Sequence, residues 1–177
     1  MKFEQNVLNK LDEITSLLIS LLDNEEVTGE VDKPLELEDH NLRINSEGWH
    51  KITKDGKSYL ENQEKDVWEF LEGECKGEQL FTYDAAIRET KRAGKVIPTD
   101  KQLSELLKTK NDLKNITYPG NRYTDGSYNG LGWDLYLWSS TPGGSSNAWR
   151  RFLASSYSTV SRDYDARAYG FSVRCLR

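Results

Sequence analysis

Histidine is almost missing from this chain: His40 and His50 are the only two in 177 residues. With so few, no Ser–His–Asp or Cys–His arrangement for nucleophilic catalysis can be assembled. His40 lies in an acidic stretch and reads as solvated, and His50 beside Trp49 reads as a hairpin residue. Cysteine is as scarce. Cys75 and Cys175 are too few for a disulfide framework and lack metal-ligand spacing. A buried thiol is the default for both. FSVRCLR fits that for Cys175, whereas GECKG around Cys75 reads as an exposed turn.

Base is outnumbered by acid, leaving a net charge of −5, so a nucleic-acid partner is not expected. No apolar run is long enough to span a bilayer. Ile14 to Leu22 is too short, and Asp12 and Glu13 stand where a secretion signal would carry basic residues. The expectation is synthesis in the cytoplasm without a signal peptide, with display on a virion or cell surface by another route. GSYNG and PGGSS contain glycines, but neither follows a strand and opens a helix as a phosphate loop requires, so both read as turns. Asp125, Asn129 and Asp134 are the one oxygen-rich cluster, too sparse for a calcium loop. No metal and no cofactor are expected.

A further absence is positional. Lys, Glu and Gln are used freely up to Lys114 and not at all afterwards, and the stretch from Arg150 to Arg177 also lacks Trp and Met. Codons with two randomised bases and a pyrimidine third base exclude those same residues. Trp149 is not reachable from such a codon and so reads as fixed scaffold. From Leu135 onward the chain mixes two compositions. Trp138, Trp149, Arg151, Leu153, Val160, Arg162, Arg167, Phe171, Val173 and Arg174 read as a fixed frame. Arg150, Phe152, Ala154, Ser155, Ser156, Tyr157, Ser161, Asp163, Tyr164, Asp165, Ala166 and Tyr169 follow neither a helical nor a strand period, with Asn147 at the margin of the set. Aromatic, acidic, basic and small residues are mixed there as in antibody loops. These positions are expected to point to solvent and bind a ligand.

The frame A-W-x-R-x-L-x-x-x-x-S-x-V-x-R-x-x-x-x-R-A-x-G-F-S-V-R-C, filled from Ala148 to Cys175, resembles the variable region of diversity-generating retroelement target proteins. In that family a reverse transcriptase copies a template with errors at adenines, scattering substitutions over many residues. The resemblance implies a C-type-lectin-like fold, related in shape to the formylglycine-generating enzyme. It also implies a non-enzymatic, ligand-binding function directed at a protein or glycan on a target cell or virus surface. VIPTDKQLSELL is similar to the second-helix signature of the same folds. The resemblance runs from about Trp49 to Arg177 and is thinnest before Phe81. Two other classes compete: a formylglycine-generating-type modifying enzyme, which would need a reactive cysteine pair, and a calcium-dependent carbohydrate-binding lectin.

Along the chain, Val7, Leu11, Ile14, Leu18 and Leu21 form a narrow apolar seam that predicts a helix from about Phe3 to Asp23. An isolated helix of this length is marginal in water, so the seam needs a partner, either another copy of the chain or the protein's own body, with homo-oligomerisation through residues 1–23 the favoured expectation. Residues 24–41 (NEEVTGEVDKPLELEDHN) read as an acidic, extended linker. The globular domain is expected over 42–177, with a variable region at about 147–169. KDGK at 54–57 predicts the turn of a hairpin within Trp49–Tyr59. Val67–Leu71 is a short apolar patch. YDAAIRETKRAG predicts a helix burying Ala85, Ala86 and Ile87 and closed at Gly94. A second helix starts at Thr99 with Gln102 as its capping-box partner, burying Leu103, Leu106 and Leu107. Two helices flanked by strands indicate an α+β domain with small antiparallel sheets. Tyr118–Trp138, rich in Gly, Asn and Tyr, reads as loops pinned by aromatic side chains.

Overall fold

A computed structural model describes residues 34–177. The expected helix at 3–23 and the linker residues before 34 lie outside the described residues. The compact unit runs Leu35–Arg177 and is α+β, with two helices and small antiparallel sheets.

The first sheet is a four-stranded antiparallel meander: β1 (His50–Lys54), β2 (Lys57–Asn62), β3 (Val67–Phe70) and β4 (Gln79–Phe81). Lys54 pairs with Lys57, and the two residues between them, Asp55 and Gly56, both have positive φ, 50° and 73°. That is the geometry a tight hairpin needs, and Asp-Gly supplies it at little steric cost. After β4 comes helix α1 (Tyr83–Arg92), whose first turn is capped by the Thr82 hydroxyl accepting from the Ala85 N–H at 3.3 Å. Ala85 and Ala86 are fully buried. Gly94, at φ 65°, lets the chain leave the helix. Helix α2 (Asp100–Leu106) begins with the expected capping box between Thr99 and Gln102, and it buries Leu103, while Leu107 just beyond its end is also buried. Leu106 is only half-buried.

A small hairpin, β5 (Asn121–Arg122) and β6 (Tyr128–Asn129), precedes the second main sheet, β7 (Asp134–Pro142), β8 (Asn147–Ala154) and β9 (Val160–Ala166), antiparallel in that order. The two main sheets are joined by the chain after β9. Phe171 exchanges backbone hydrogen bonds with Phe81 at 2.8 and 3.0 Å, and Ser172 does the same with Tyr136 and Trp138 at 3.0 and 3.1 Å. Around this seam lies the main core of Val67, Phe81, Tyr83, Trp138, Phe171, Val173 and Cys175. Trp138 is fully buried and its indole N–H donates to the Phe81 carbonyl at 2.9 Å. A second cluster of leucines, Leu103, Leu107, Leu135, Leu137 and Leu153, fills the space between α2 and β7–β8.

Two expectations are corrected here. Residues 35–41, expected to extend as linker, run against the C-terminal segment instead: the Glu38 and Leu42 amides donate to the Cys175 and Val173 carbonyls at 2.8 and 2.7 Å. The physical reason is Arg174, fully buried, which donates to Asn41, to the Glu38 carbonyl and to the Lys114 carbonyl. A buried guanidinium requires acceptors, and this segment provides two of them, the Asn41 side-chain amide oxygen and the Glu38 main-chain carbonyl. Cys75 does lie in a turn, but it is buried with Tyr59, Phe70 and Leu80 while Glu74 and Lys76 point outward. Turn composition sets backbone exposure, not the direction of one small apolar side chain.

Candidate functional site

Residues paired across adjacent antiparallel strands project to the same face of a sheet, and successive residues alternate. In β7–β9 the pairs Asp134–Ala154, Tyr136–Phe152, Trp138–Arg150, Phe152–Ser161, Arg150–Asp163 and Ala148–Asp165 therefore define one face. Leu135–Leu153, Leu137–Arg151, Arg151–Arg162, Leu153–Val160 and Trp149–Tyr164 define the other.

The second face packs on α2. Arg151, 2% exposed, donates to the Asp100 carboxylate at 2.6 Å, to the Asp100 carbonyl at 2.6 Å and to the Ser104 hydroxyl at 2.7 Å. Arg162 grips the same carboxylate from outside, at 2.7 Å, and lies 3.6 Å above the Trp149 ring. Burial pushes the Asp100 carboxyl up, but hydrogen bonds from Arg162 and Arg151 outweigh it and hold the group below the ordinary carboxylate range. Arg167 closes the end of the sheet, pairing with Asp84 in the first turn of α1 and lying 4.7 Å above Tyr83.

The first face carries most of the irregular positions. Arg150 sits low on it, its side chain 12% exposed, donating to Asp165 at 2.7 Å, with Asp163 3.7 Å away. Its guanidinium lies 5.2 Å over Tyr136 and 5.9 Å from the Phe152 centroid. Tyr136 touches Phe152 and Phe171, with centroids 5.0 and 4.9 Å apart, and Tyr169 bridges Phe171 to Tyr123 at 6.2 and 5.1 Å. A row of rings thus runs Tyr123, Tyr169, Phe171, Tyr136, Phe152. Burial pushes the Tyr136 phenol up to about 12, with Asp134 adding to it and Arg150 opposing, so at neutral pH it stays a protonated donor.

The β8–β9 turn extends this surface. Tyr157 is 68% exposed, Ser156 is exposed, and the Ser155 amide donates to the Trp133 carbonyl at 2.7 Å. Trp133, 69% exposed, was not among the expected site residues. Its signal was present: an aromatic set between Gly132 and Asp134, with no apolar period to draw it into a core. Lys110 braces the turn by donating to the Ser155 carbonyl at 2.7 Å.

The expected set is thus gathered with exceptions. Tyr164 lies on the α2 side, edge-on to Trp149 at 5.3 Å, and Ala166 pairs with Asn147 on that same side. Ala154 and Tyr169 are half-buried, and Arg150 is tied down rather than free in solvent. The expectation that these positions follow no strand period fails for six of them, since Arg150, Phe152 and Ala154, and then Ser161, Asp163 and Asp165, alternate strictly, while Tyr164 and Ala166 break the alternation. Asp125 is a turn residue and Asn129 ends β6: Asp125 accepts from the Ser127 amide at 2.9 Å and Asn129 from the Gly130 amide at 2.8 Å.

Away from this face, a polar groove of about 760 Å³ is lined by Glu61, Trp68, Asp84, Arg122, Ser146 and Arg167 among others. Its arginines are engaged within the protein, Arg122 lying 3.9 Å over Trp68 and Arg167 paired with Asp84. No family model matches the chain, and no curated protein or solved structure gives a significant match.

Proposed function

We propose that this chain is a ligand-binding protein of C-type-lectin-like fold, a diversity-generating retroelement variable protein. On this reading it recognises a protein or glycan on a target cell or virus surface and is not an enzyme. The observation that carries it is the division of one short stretch between two faces. Frame residues Arg151, Leu153 and Arg162 turn toward α2, and irregular residues Arg150, Phe152, Ala154, Ser161, Asp163 and Asp165 turn the other way. A backbone held by its own ladder and by Asp100 is pre-organised, which lowers the ordering cost of binding and lets side chains vary without refolding. On this reading the β8–β9 turn, Trp133 and Tyr169 join the face, and a standard interface takes about 800 Å² from each partner. Its tyrosines and Trp133 are the residue types that dominate interface energies.

The experiment replaces the six irregular strand residues together by another set drawn from Asn, Tyr, Ser and Asp. Thermal melting and binding to cell or virion surfaces are then measured on the same variant. Melting should stay nearly unchanged while binding to surfaces recognised by the parent is lost; a variant that unfolds, or binds as before, overturns the reading. Near the coding region, a near-copy of the terminal segment and a reverse transcriptase are expected.

A further inference from the structure

The recognition face holds more acid than base, and we propose that it is built for a protein partner presenting basic side chains, arginine or lysine. This rests on the reading of that face as the binding surface. Three carboxylates belong to it, Asp134, Asp163 and Asp165, against the single guanidinium of Arg150. Arg150 is not available to an anion: it is sunk between Asp165 at 2.7 Å and Asp163 at 3.7 Å and lies over Tyr136. Asp165 is matched by it.

Two carboxylates remain. Asp163 is the outermost, its side chain 60% exposed. Asp134 is half-buried beside Gly130, where any side chain would collide with its carboxylate. No arginine or lysine pairs with it among the described residues, and burial alone pushes its carboxyl up. A half-buried carboxylate without a cation keeps its acceptor oxygens open to one.

The spacing defines what would pair with both. Asp134 lies opposite Ala154, and Asp163 opposite Arg150, four residues away along β8. At the rise of a strand that offset is ~13 Å, and because Asp134 stands on β7 and Asp163 on β9, two strand spacings add ~10 Å across β8 and put the two backbone positions ~16 Å apart. Between them lie the rings of Tyr136 and Phe152, 5.0 Å apart, whose faces attract cations. An extended partner segment crossing the strands obliquely places side chains four residues apart on one face at ~13 Å, and the flexible stems of arginine or lysine cover the remaining ~3 Å. Two basic residues in that register reach both carboxylates, with the intervening side chain over the rings. A glycan bearing uronic or sialic acid meets like charge here and is disfavoured.

The test titrates the isotope-labelled full chain with two peptides, acetyl-Arg-Gly-Tyr-Gly-Arg-amide and its Glu-for-Arg counterpart, and follows backbone amide shifts. The Arg peptide should move the amides of Phe152, Ser161 and Asp163. Asp134→Asn and Asp163→Asn should each weaken it by about 1.4- to 5-fold, as for rim charges, and added salt should weaken it further. If the Glu peptide moves the same amides as strongly, the charge proposal is overturned while the face keeps its binding role. Shifts from both peptides confined to the Glu61–Arg122–Arg167 groove overturn both. Absence of any shift with the Arg peptide overturns the charge proposal alone, leaving the surface-binding experiment to judge the face.

Discussion

Arg151 of β8 and Asp100 of α2 meet at 2.6 Å where the sheet lies on the helix, the arginine side chain 2% and the aspartate side chain 13% exposed. Breaking such a pair from one side leaves the other charge buried without its partner. Asp100→Ala should therefore cost about 3–5 kcal/mol. Arg162→Ala removes the more exposed of the two arginines on the same carboxylate and should cost less. Urea denaturation of both variants checks the order.

The same carboxylate makes stability pH-dependent. Its folded-state pKa lies below the unfolded value of about 3.9. The stability it contributes is then fully present above that unfolded value and is lost as pH falls through the folded one. Denaturation midpoints measured from pH 6 downward should fall in acid more steeply for the parent than for Asp100→Asn, which cannot titrate.

Phe171 and Trp149 differ more than their shared place in the frame suggests. Phe171 is 1% exposed and central to the core, so Phe171→Ala should cost about 3–5 kcal/mol. Trp149 is half-buried, held between Arg162 and Tyr164, and its loss should cost about 1–2 kcal/mol. Ser156→Ala should stay within about 0.5 kcal/mol. Equal losses at all three sites, read by chemical denaturation, would show that frame and surface are not distinct.

Both thiols should be unreactive until the protein unfolds. Burial pushes Cys75 up to about 11 and Cys175 up to about 12, so neither forms appreciable thiolate near neutrality. A thiol-disulfide reagent at pH 8 should label neither residue in native protein and both in denaturant, as followed by mass.

What was legible in the sequence was local chemistry. Asp55-Gly56 marked its hairpin, and Thr99 with Gln102 marked the start of α2, because turns and caps are decided by a few adjacent residues. The alternation of β8 was hidden for a different reason. Periodicity is read as a contrast in hydropathy, and here Arg150 and Arg151 stand side by side, one on each face. Arg151 is buried only because Asp100, distant in the sequence, meets it. Residues 35–41 misled in the same way: their acidic composition reads as solvated until Arg174 is found beneath them. Tyr164 looked like its neighbours Asp163 and Asp165 in composition and differs from them only in parity.

β9 is the last strand of its sheet, so its outer backbone N–H and C=O groups have no ladder partner within that sheet. An open edge of this kind invites another chain to add a strand, and charged side chains along it are the usual deterrent. Arg162, Asp163 and Asp165 hold that post here. Two of the three are positions at which side chains are proposed to vary. A collection of sequences built on this scaffold is thereby filtered by solubility before it is filtered by affinity: a member that replaces both aspartates with apolar residues gains a stickier face and an unguarded edge in one step. Colloidal behaviour, rather than folding, sets the outer boundary of the chemistry this surface can explore.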